Sequence, residues 1–161
     1  MASSIRRTSR FPVSPEAVLQ ALTNPALLEA QQRQQGAARA RVTERLREGP
    51  RLVQEVEADE YARTLTGIDK TRTERAVTTY EWDLSERRCT WRYAGPHGDR
   101  VRVGGSLRVL PAAGGAELHS EITVSVRVPL IGRVIERRIV SQIEAGMPEY
   151  EGLIRKFAPA Q

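Results

Sequence analysis

The clearest pattern of apolar and polar positions lies in the last third of the chain. Residues 118–128 alternate apolar and polar side chains, whereas residues 131–157 repeat apolar side chains at steps of three and four. A period of two is typical of a half-buried strand, and a period near 3.6 is typical of an amphipathic helix. Because Pro129 and Gly132 separate the two patterns, the sequence predicts a strand, a turn and a long C-terminal helix. Pro148 lies inside the helical pattern and predicts a bend there.

The beginning of the chain predicts one strand followed by two short helices. Residues 5–11 have the pattern of a strand. Ser14 and Asn24 each precede a proline and then an apolar stripe, which is the arrangement of a helix N-cap followed by proline at the first helical position. Gly36 predicts the end of the second helix.

The middle of the chain, from about residue 38 to residue 128, predicts strands and turns. Gly49-Pro50 separates two predicted strands, at residues 39–48 and 51–58. Residues 59–70 lack a clear period, so we expect a loop there, with room for one helical turn.

Two hairpins follow in this region. For the first, a two-residue turn at Glu86-Arg87 gives the pairs Leu84 with Cys89, Trp82 with Trp91, and Tyr80 with Tyr93. This register places four aromatic side chains on one face of the sheet. Glu-Arg is a poor type I′ turn sequence, so a longer loop would shift the register. For the second hairpin, a turn at Ala113-Gly114 gives the pairs Val109 with Leu118, Gly105 with Ile122, Val103 with Val124, and Val101 with Val126.

The positive charge is unevenly distributed. The net charge is +5, and residues 1–51 hold nine arginines against four glutamates, so that segment accounts for the whole excess. A solvated face with modest electrostatic steering explains such a segment, and so does a patch that binds phosphate or a membrane surface. If the second explanation holds, we expect Arg39, Arg41 and Arg45 to contact the anionic partner. Nucleic-acid binding is not expected.

Cysteine content and hydropathy restrict the class of protein. Cys89 is the only cysteine, so no internal disulfide forms, as is usual in a reducing compartment. No apolar leader region follows the charged N-terminus, and no apolar run reaches the length of a membrane span. We therefore expect a soluble, cytoplasmic protein.

The order of elements is that of an α+β fold: one strand, two helices, about six antiparallel strands and one long helix. Residues 127–136, Arg-Val-Pro-Leu-Ile-Gly-Arg-Val-Ile-Glu, resemble the valine-proline-leucine-x-glycine-x-x-x-glutamate segment of an uncharacterised bacterial family in the START-like (SRPBCC, helix-grip) superfamily. Residues 11–18 resemble the first strand-to-helix segment of that family, and Tyr80-Glu-Trp82 resembles one of its strands. The whole chain, residues 1–161, is thus similar to a single helix-grip domain with a curved antiparallel sheet of about seven strands.

The resemblance implies a cavity between the sheet and the long helix. Its expected function is the non-catalytic binding of an apolar or amphipathic small molecule or lipid. Two alternatives stay open: an interaction protein that uses its arginine-rich N-terminal third, and an enzyme similar to the polyketide cyclases. The candidate ligand-binding residues, at predicted cavity-lining positions, are Tyr80, Trp82, Trp91, Tyr93, Val103, Gly105, Ile122, Val124, Ile139, Ile143 and Met147. The four aromatic residues among them could equally fill the core.

Other residues with reactive side chains have simpler explanations. His97 lies in a turn and His119 on the polar face of a strand, and neither has a second ligand at metal-binding spacing. Cys89 has no histidine nearby in sequence, which favours a small buried side chain over a nucleophile. Gly104-Gly105 predicts a bulge, a sharp bend of the sheet, or close approach of the backbone to a ligand. No catalytic residue, metal or cofactor is expected.

Overall fold

The computed structural model describes residues 2–64 and 67–159. Within these ranges the chain forms one seven-stranded antiparallel sheet in the order β1-β7-β6-β5-β4-β3-β2, together with three α-helices. The elements are β1 (Ser3–Phe11), α1 (Pro15–Thr23), α2 (Pro25–Gln34), β2 (Arg39–Glu48), β3 (Arg51–Thr64), β4 (Gly67–Asp83), β5 (Arg88–Ala94), β6 (Val101–Ala112), β7 (Gly115–Val126) and α3 (Gly132–Phe157), with a short 3-10 turn at Gly98–Arg100. The predicted order of strands and helices is confirmed.

Both predicted helix caps are present. The Ser14 side chain accepts a hydrogen bond from the Ala17 amide at 3.1 Å, and the Asn24 side chain accepts one from the Ala26 amide at 2.9 Å. These bonds satisfy backbone donors that the first turn of a helix leaves without a partner. The end of α1 is tied to the sheet because Gln54 Nε2 donates to the Thr23 carbonyl at 2.7 Å.

The long helix covers one edge of the curved sheet. α3 packs against β7 and β1, and also against α1 and α2. It begins at Gly132 and continues through Pro148 to Phe157, so the predicted long C-terminal helix is confirmed. None of the helices in the described ranges combines the length and the apolar character needed to cross a bilayer.

The register of the last hairpin is confirmed, whereas that of the aromatic hairpin was wrong by two residues. The observed pairs are Trp82 with Cys89, Tyr80 with Trp91, and Thr78 with Tyr93. The shift arises because the turn has four residues, 84–87: the Asp83 carboxylate accepts hydrogen bonds from the Ser85 and Glu86 amides, each at 3.1 Å. Arg87 completes the turn at φ +51°. A shift of two residues keeps every side chain on its predicted face.

The predicted loop at residues 59–70 was also wrong. β3 continues to Thr64 and β4 begins at Gly67, with an irregularity of register between Tyr61 and Ala62. Residues 65 and 66 lie outside the described ranges. The segment lacks a sequence period because charged residues occur on both faces of the strand. The strand forms nevertheless, since backbone pairing holds it and does not depend on the side chains.

Candidate functional site

The space between α3 and the sheet has a closed end. There, Ile154 of α3 is 0% exposed, and it packs in a core with α1, α2 and the concave face of the sheet. The largest fully buried side chains include Leu22, Leu27, Leu28, Leu52 and Leu118. This end is solidly filled because two short helices join α3 in covering the sheet.

The same space has an open end beneath the N-terminal half of α3. The register puts Tyr93 and Val103 in one row across the concave face, and Trp91, Gly105 and Ile122 in the next row. These five residues are only partly buried, as are Ile139 and Ile143 on α3. We call this surface, made of the seven residues just named, the groove.

The structure separates the predicted site residues into two sets. Four of them are buried: Tyr80, Trp82, Val124 and Met147. Tyr80 and Trp82 belong to the core cluster, as the core-filling alternative expected. The other seven are the partly exposed residues of the groove, so the assignment of these residues to a ligand stays a prediction.

Gly105 allows the strands beneath the groove to approach closely. A Cβ atom at this position would lie 2.1 Å from the Glu121 carbonyl oxygen on β7. The ladder continues through Gly104 and Gly105 without a shift of register, so there is no bulge here, and the sharp bend and the approach to a ligand stay predictions. The absence of a side chain is therefore what allows β6 and β7 to lie this close between Trp91 and Ile122.

One polar pair lies at the edge of the groove. The Tyr93 hydroxyl donates a hydrogen bond to Glu60 Oε1 at 2.8 Å, reaching across β4 to β3. Glu60 was missed by the sequence analysis because it falls in the segment predicted as a loop. Recognising β3 as a long strand would have placed its side chain on the same face as Val56 and Ala58.

The titratable groups deeper under the helix are held neutral by burial. Burial raises the pKa of the Tyr80 and Tyr150 hydroxyls and of the Cys89 thiol above their ordinary values. At neutral pH all three therefore stay protonated and are poor bases or nucleophiles. The expectation that Cys89 is a small buried side chain is confirmed.

Two carboxylates fasten α3 to the edge of the sheet. Glu151 accepts hydrogen bonds from Arg7 at 2.8 and 2.9 Å and from the Ser9 hydroxyl. Glu136 accepts one from the Ser3 hydroxyl at 2.6 Å and one from the Val126 amide at 3.3 Å. The Arg7 hydrogen bond is the main reason that the pKa of Glu151 is lowered.

The sequence analysis missed these contacts, although the helical period contains a signal for them. Glu136 and Glu151 are fifteen residues apart, which is close to four turns, so they lie along one side of the apolar stripe. Only the neighbouring strand β1 shows that this side of the helix faces hydroxyl and guanidinium groups rather than solvent.

The arginines of the N-terminal third are mostly paired. Six of them have a carboxylate oxygen within 3.3 Å: Arg6, Arg7, Arg10, Arg39, Arg45 and Arg47. Arg6, Arg10 and Arg39 do so across the ladder, each with the residue directly opposite. Local acidic neighbours therefore offset much of the charge that the sequence concentrates in residues 1–51, which weakens the case for an anionic partner at this segment.

Two surface pockets lie at the closed end of the sheet rather than at the groove. One has a volume of about 370 Å³ and is formed where β1 ends beside the β6–β7 turn. The other has a volume of about 270 Å³ and lies beside the turn between β2 and β3. Both are shallow, and neither includes a residue of the groove.

Comparisons with solved structures agree on the fold. The protein TTHA0849 from Thermus thermophilus is 18% identical and aligns over 97% of each chain with a TM-score of 0.64. A START superfamily protein from Mycobacterium smegmatis is 15% identical, with 95% of this chain and 97% of that chain covered and a TM-score of 0.63. The Zhui aromatase/cyclase from Streptomyces sp. R1128 is 12% identical, with 98% and 92% covered and a TM-score of 0.61.

Sequence comparisons identify the family. Curated protein sequences contain no significant match. A family model described as "Protein of unknown function (DUF2505)" matches residues 6–157, which is nearly the whole chain. Together with the sheet order and the long C-terminal helix, this match shows that the chain belongs to the DUF2505 family and has the START-like helix-grip fold.

Proposed function

We propose that the protein binds an apolar or amphipathic small molecule, such as a lipid, in the groove, without converting it chemically. The observation that carries the proposal is the set of partly exposed apolar side chains at the open end, Ile139 and Ile143 on α3, which packs on β7, and those of the concave strands. Facing apolar surfaces that stay partly hydrated gain free energy when a ligand removes them from water.

The polar pair at the edge of the groove favours an amphipathic ligand over a purely apolar one. Glu60 and Tyr93 together present a carboxylate and a phenol beside apolar and aromatic walls. A few polar groups in an otherwise apolar site fix the orientation of a ligand more than they add to its affinity. A ligand with a hydrogen-bonding end group and an apolar body fits this arrangement.

The fold supports this function without assigning a ligand. The solved structures of the same fold include a START superfamily protein and an aromatase/cyclase, so one architecture is found with different functions. Ligand binding by this chain therefore has to be tested by substituting residues of its own groove.

Filling the groove tests the proposal. The probe is a dansyl-labelled fatty acid whose fluorescence rises in an apolar site. Ile122→Trp projects an indole into the groove, whereas Thr123→Trp places the same side chain on the opposite face of β7, one residue away. We expect the first variant to lower probe affinity at least tenfold and the second to leave it unchanged, because only the first removes ligand space.

Native mass spectrometry of the gently purified protein gives a second readout, as added mass lost on denaturation. The proposal fails if the wild-type protein binds no probe and carries no added mass, or if both tryptophan variants bind equally well. Circular dichroism and melting temperature show whether each variant is folded.

A cyclase-like activity is the second candidate, and the hydrogen bond between Tyr93 and Glu60 is the observation that favours it. A carboxylate beside a phenol can remove a proton from a carbon between two carbonyl groups and return one to an oxygen. The test is incubation with a short linear poly-β-ketone and analysis of the products by mass spectrometry. Catalysis would be established if the wild-type protein gave a product that has lost water. Glu60→Gln should then give no such product although it still binds the probe. Binding with no product would leave the binding function alone.

A further inference from the structure

The turn between β7 and α3 exposes a cluster of large apolar side chains. Leu130 is 103% exposed, Ile131 47% and Val134 57%. They lie within one turn of each other at the beginning of α3. We call residues 127–138, which include these three side chains, the α3 tip. Exposed aliphatic side chains that cluster, rather than being scattered singly, mark a surface that contacts a membrane or another protein.

The backbone holds Leu130 outward in an unfavourable conformation. Its φ is +68°, in the left-handed region that a residue with a Cβ atom rarely adopts. The turn around it is closed by hydrogen bonds from the Ile131 amide to the Pro129 carbonyl at 2.8 Å and from the Gly132 amide to the Val128 carbonyl at 3.0 Å. Glycine or asparagine would relieve this strain, so the turn itself does not explain an exposed leucine.

The charges around the tip are unlike those of the N-terminal third. Arg127, Arg133, Arg137 and Arg138 are exposed, and within the described residues none of them has a carboxylate partner. Glu136, the acidic residue of this segment, turns inward to Ser3 and Val126 instead. The outer surface of the tip therefore carries four arginines without an ion-pair partner among the described residues, beside three apolar side chains, and four arginines against one glutamate leave residues 127–138 with a net charge of +3.

We propose that the α3 tip docks on the surface of an anionic lipid bilayer. Leu130, Ile131 and Val134 would enter the boundary between headgroups and acyl chains, and the arginines would contact lipid phosphates. Apolar insertion combined with basic side chains is the combination by which proteins attach to anionic membranes without spanning them. Long arginine stems also allow the guanidinium groups to stay among the headgroups while the helix lies lower.

The topology places a further exposed apolar side chain at the same end of the sheet. β7 ends and β4 begins at this end, because the two strands run in opposite directions through the ladder. Ile68, near the start of β4, is 58% exposed. The open end of the groove lies at this end too, so docking would bring the groove towards the bilayer. The docking proposal rests on the surface alone and does not require that the groove bind a ligand.

Vesicle flotation with the full chain tests the proposal. The probes are vesicles of phosphatidylcholine alone and vesicles with about 30% phosphatidylglycerol, chosen because basic segments respond to anionic lipid. We expect the protein to float with the anionic vesicles, to stay largely behind with the neutral ones, and to lose binding as salt is raised.

Substitutions separate the tip from the overall charge of the protein. Arg133→Gln/Arg137→Gln/Arg138→Gln should lower partitioning by about 100-fold, since each basic residue near an anionic membrane contributes about fivefold. The matched control, Arg33→Gln/Arg88→Gln/Arg108→Gln, removes the same charge from exposed arginines elsewhere and should change partitioning only slightly. Leu130→Asn should lower partitioning by about tenfold through loss of apolar insertion, with a melting temperature equal to or above that of the wild type.

Several results would overturn the proposal. They are equal binding to neutral and anionic vesicles, no flotation at all, and equal losses from the tip variant and its control. The competing possibility is that the tip binds a second copy of the chain instead of a membrane. Light scattering would detect this as an increase in molecular mass. Self-association that Leu130→Asn abolishes, in a protein that does not float with vesicles, would identify the tip as an interface between copies instead.

Discussion

The two ends of the space beneath α3 are covered to different degrees, although similar residues line them. Ile154 at the closed end is fully buried, whereas Ile139 and Ile143, on earlier turns of the same helix, are only partly buried. At the closed end α1 and α2 pack with the core of the sheet and α3, whereas Ile139 and Ile143 lie on the part of α3 that follows the end of β7. One apolar stripe therefore contributes to the core along part of its length and leaves a groove along the rest.

This difference separates stability from the proposed binding. Burial at the closed end supplies the free energy of folding, because removing apolar area from water is the main favourable contribution. Partly exposed side chains at the open end contribute less, since they keep contact with water. We therefore expect substitutions at the two ends to act on different measurements.

The largest expected effect is the loss of a core side chain at the closed end. Ile154→Ala should lower the free energy of unfolding by about 3–4 kcal/mol, from lost burial and the cavity left behind. Ile143→Ala, the matched change at the open end, should cost less than about 1 kcal/mol because its side chain is only partly buried. Chemical denaturation of both variants measures the difference, and equal losses would remove the distinction between the two ends.

Adding a methyl group at Gly105, beneath the groove, should have the next largest effect on the free energy of unfolding. Gly105→Ala should cost about 2 kcal/mol, since its Cβ would overlap the Glu121 carbonyl and force the strands apart. Gly146→Ala on α3 is the control, because a Cβ there meets nothing within 4 Å. Replacing that helical glycine should stabilise the protein by up to about 1 kcal/mol. A neutral Gly105→Ala would mean that the sheet relaxes easily at this point.

The attachment of α3 to β1 should make stability depend on pH. Glu151 has a pKa below its ordinary value of 4.5, so its ion pair with Arg7 is fully present at neutral pH. The stabilisation should be lost as the pH falls below 4.5 and through the lowered pKa. Glu151→Gln should cost about 1–2 kcal/mol at pH 7 and flatten this part of the pH profile.

Glu149→Gln is the control for that profile, because this neighbouring glutamate is exposed. Unfolding measured between neutral and acidic pH should show a wild-type profile for this variant. If Glu151→Gln and Glu149→Gln gave the same profile, the contact with Arg7 would not contribute to stability.

The smallest effect on stability is expected at the polar pair of the open end. Tyr93→Phe removes the hydrogen bond to Glu60 and should cost less than about 1 kcal/mol, because the pair is partly hydrated. Its effect should be larger on the affinity for an amphipathic probe than for an apolar one of the same size. Equal affinities for the two probes would show that the pair does not orient the ligand.

The sequence predicted much of the fold because its strongest signals are local. Ser14 and Asn24 mark helix starts through hydrogen bonds to amides two or three residues away. The register of the last hairpin followed from its alternation and a glycine turn. In contrast, the Asp83 turn moved the aromatic hairpin by two residues, because a carboxylate that caps its own loop competes with the shortest turn.

The candidate site was less predictable because it depends on distant segments. The period of α3 showed which of its residues are apolar, but not that Ile154 would be buried and Ile139 only partly so. The charge count likewise pointed to the N-terminal third, where cross-strand carboxylates turn out to pair most of the arginines, and not to Arg133, Arg137 and Arg138 at the α3 tip.

By itself, the sequence determined the order of the elements and the inward faces of the strands, because periodicity, caps and turn residues act within a few positions of each other. The helix-grip fold followed from the resemblance of that order and of short segments to a known superfamily. The tertiary structure alone decided which part of the apolar stripe is covered, where carboxylates find partners, and which charges stay uncompensated. Those outcomes depend on contacts between residues more than a hundred positions apart in sequence, such as Arg7 and Glu151. A local sequence pattern contains no information about such contacts.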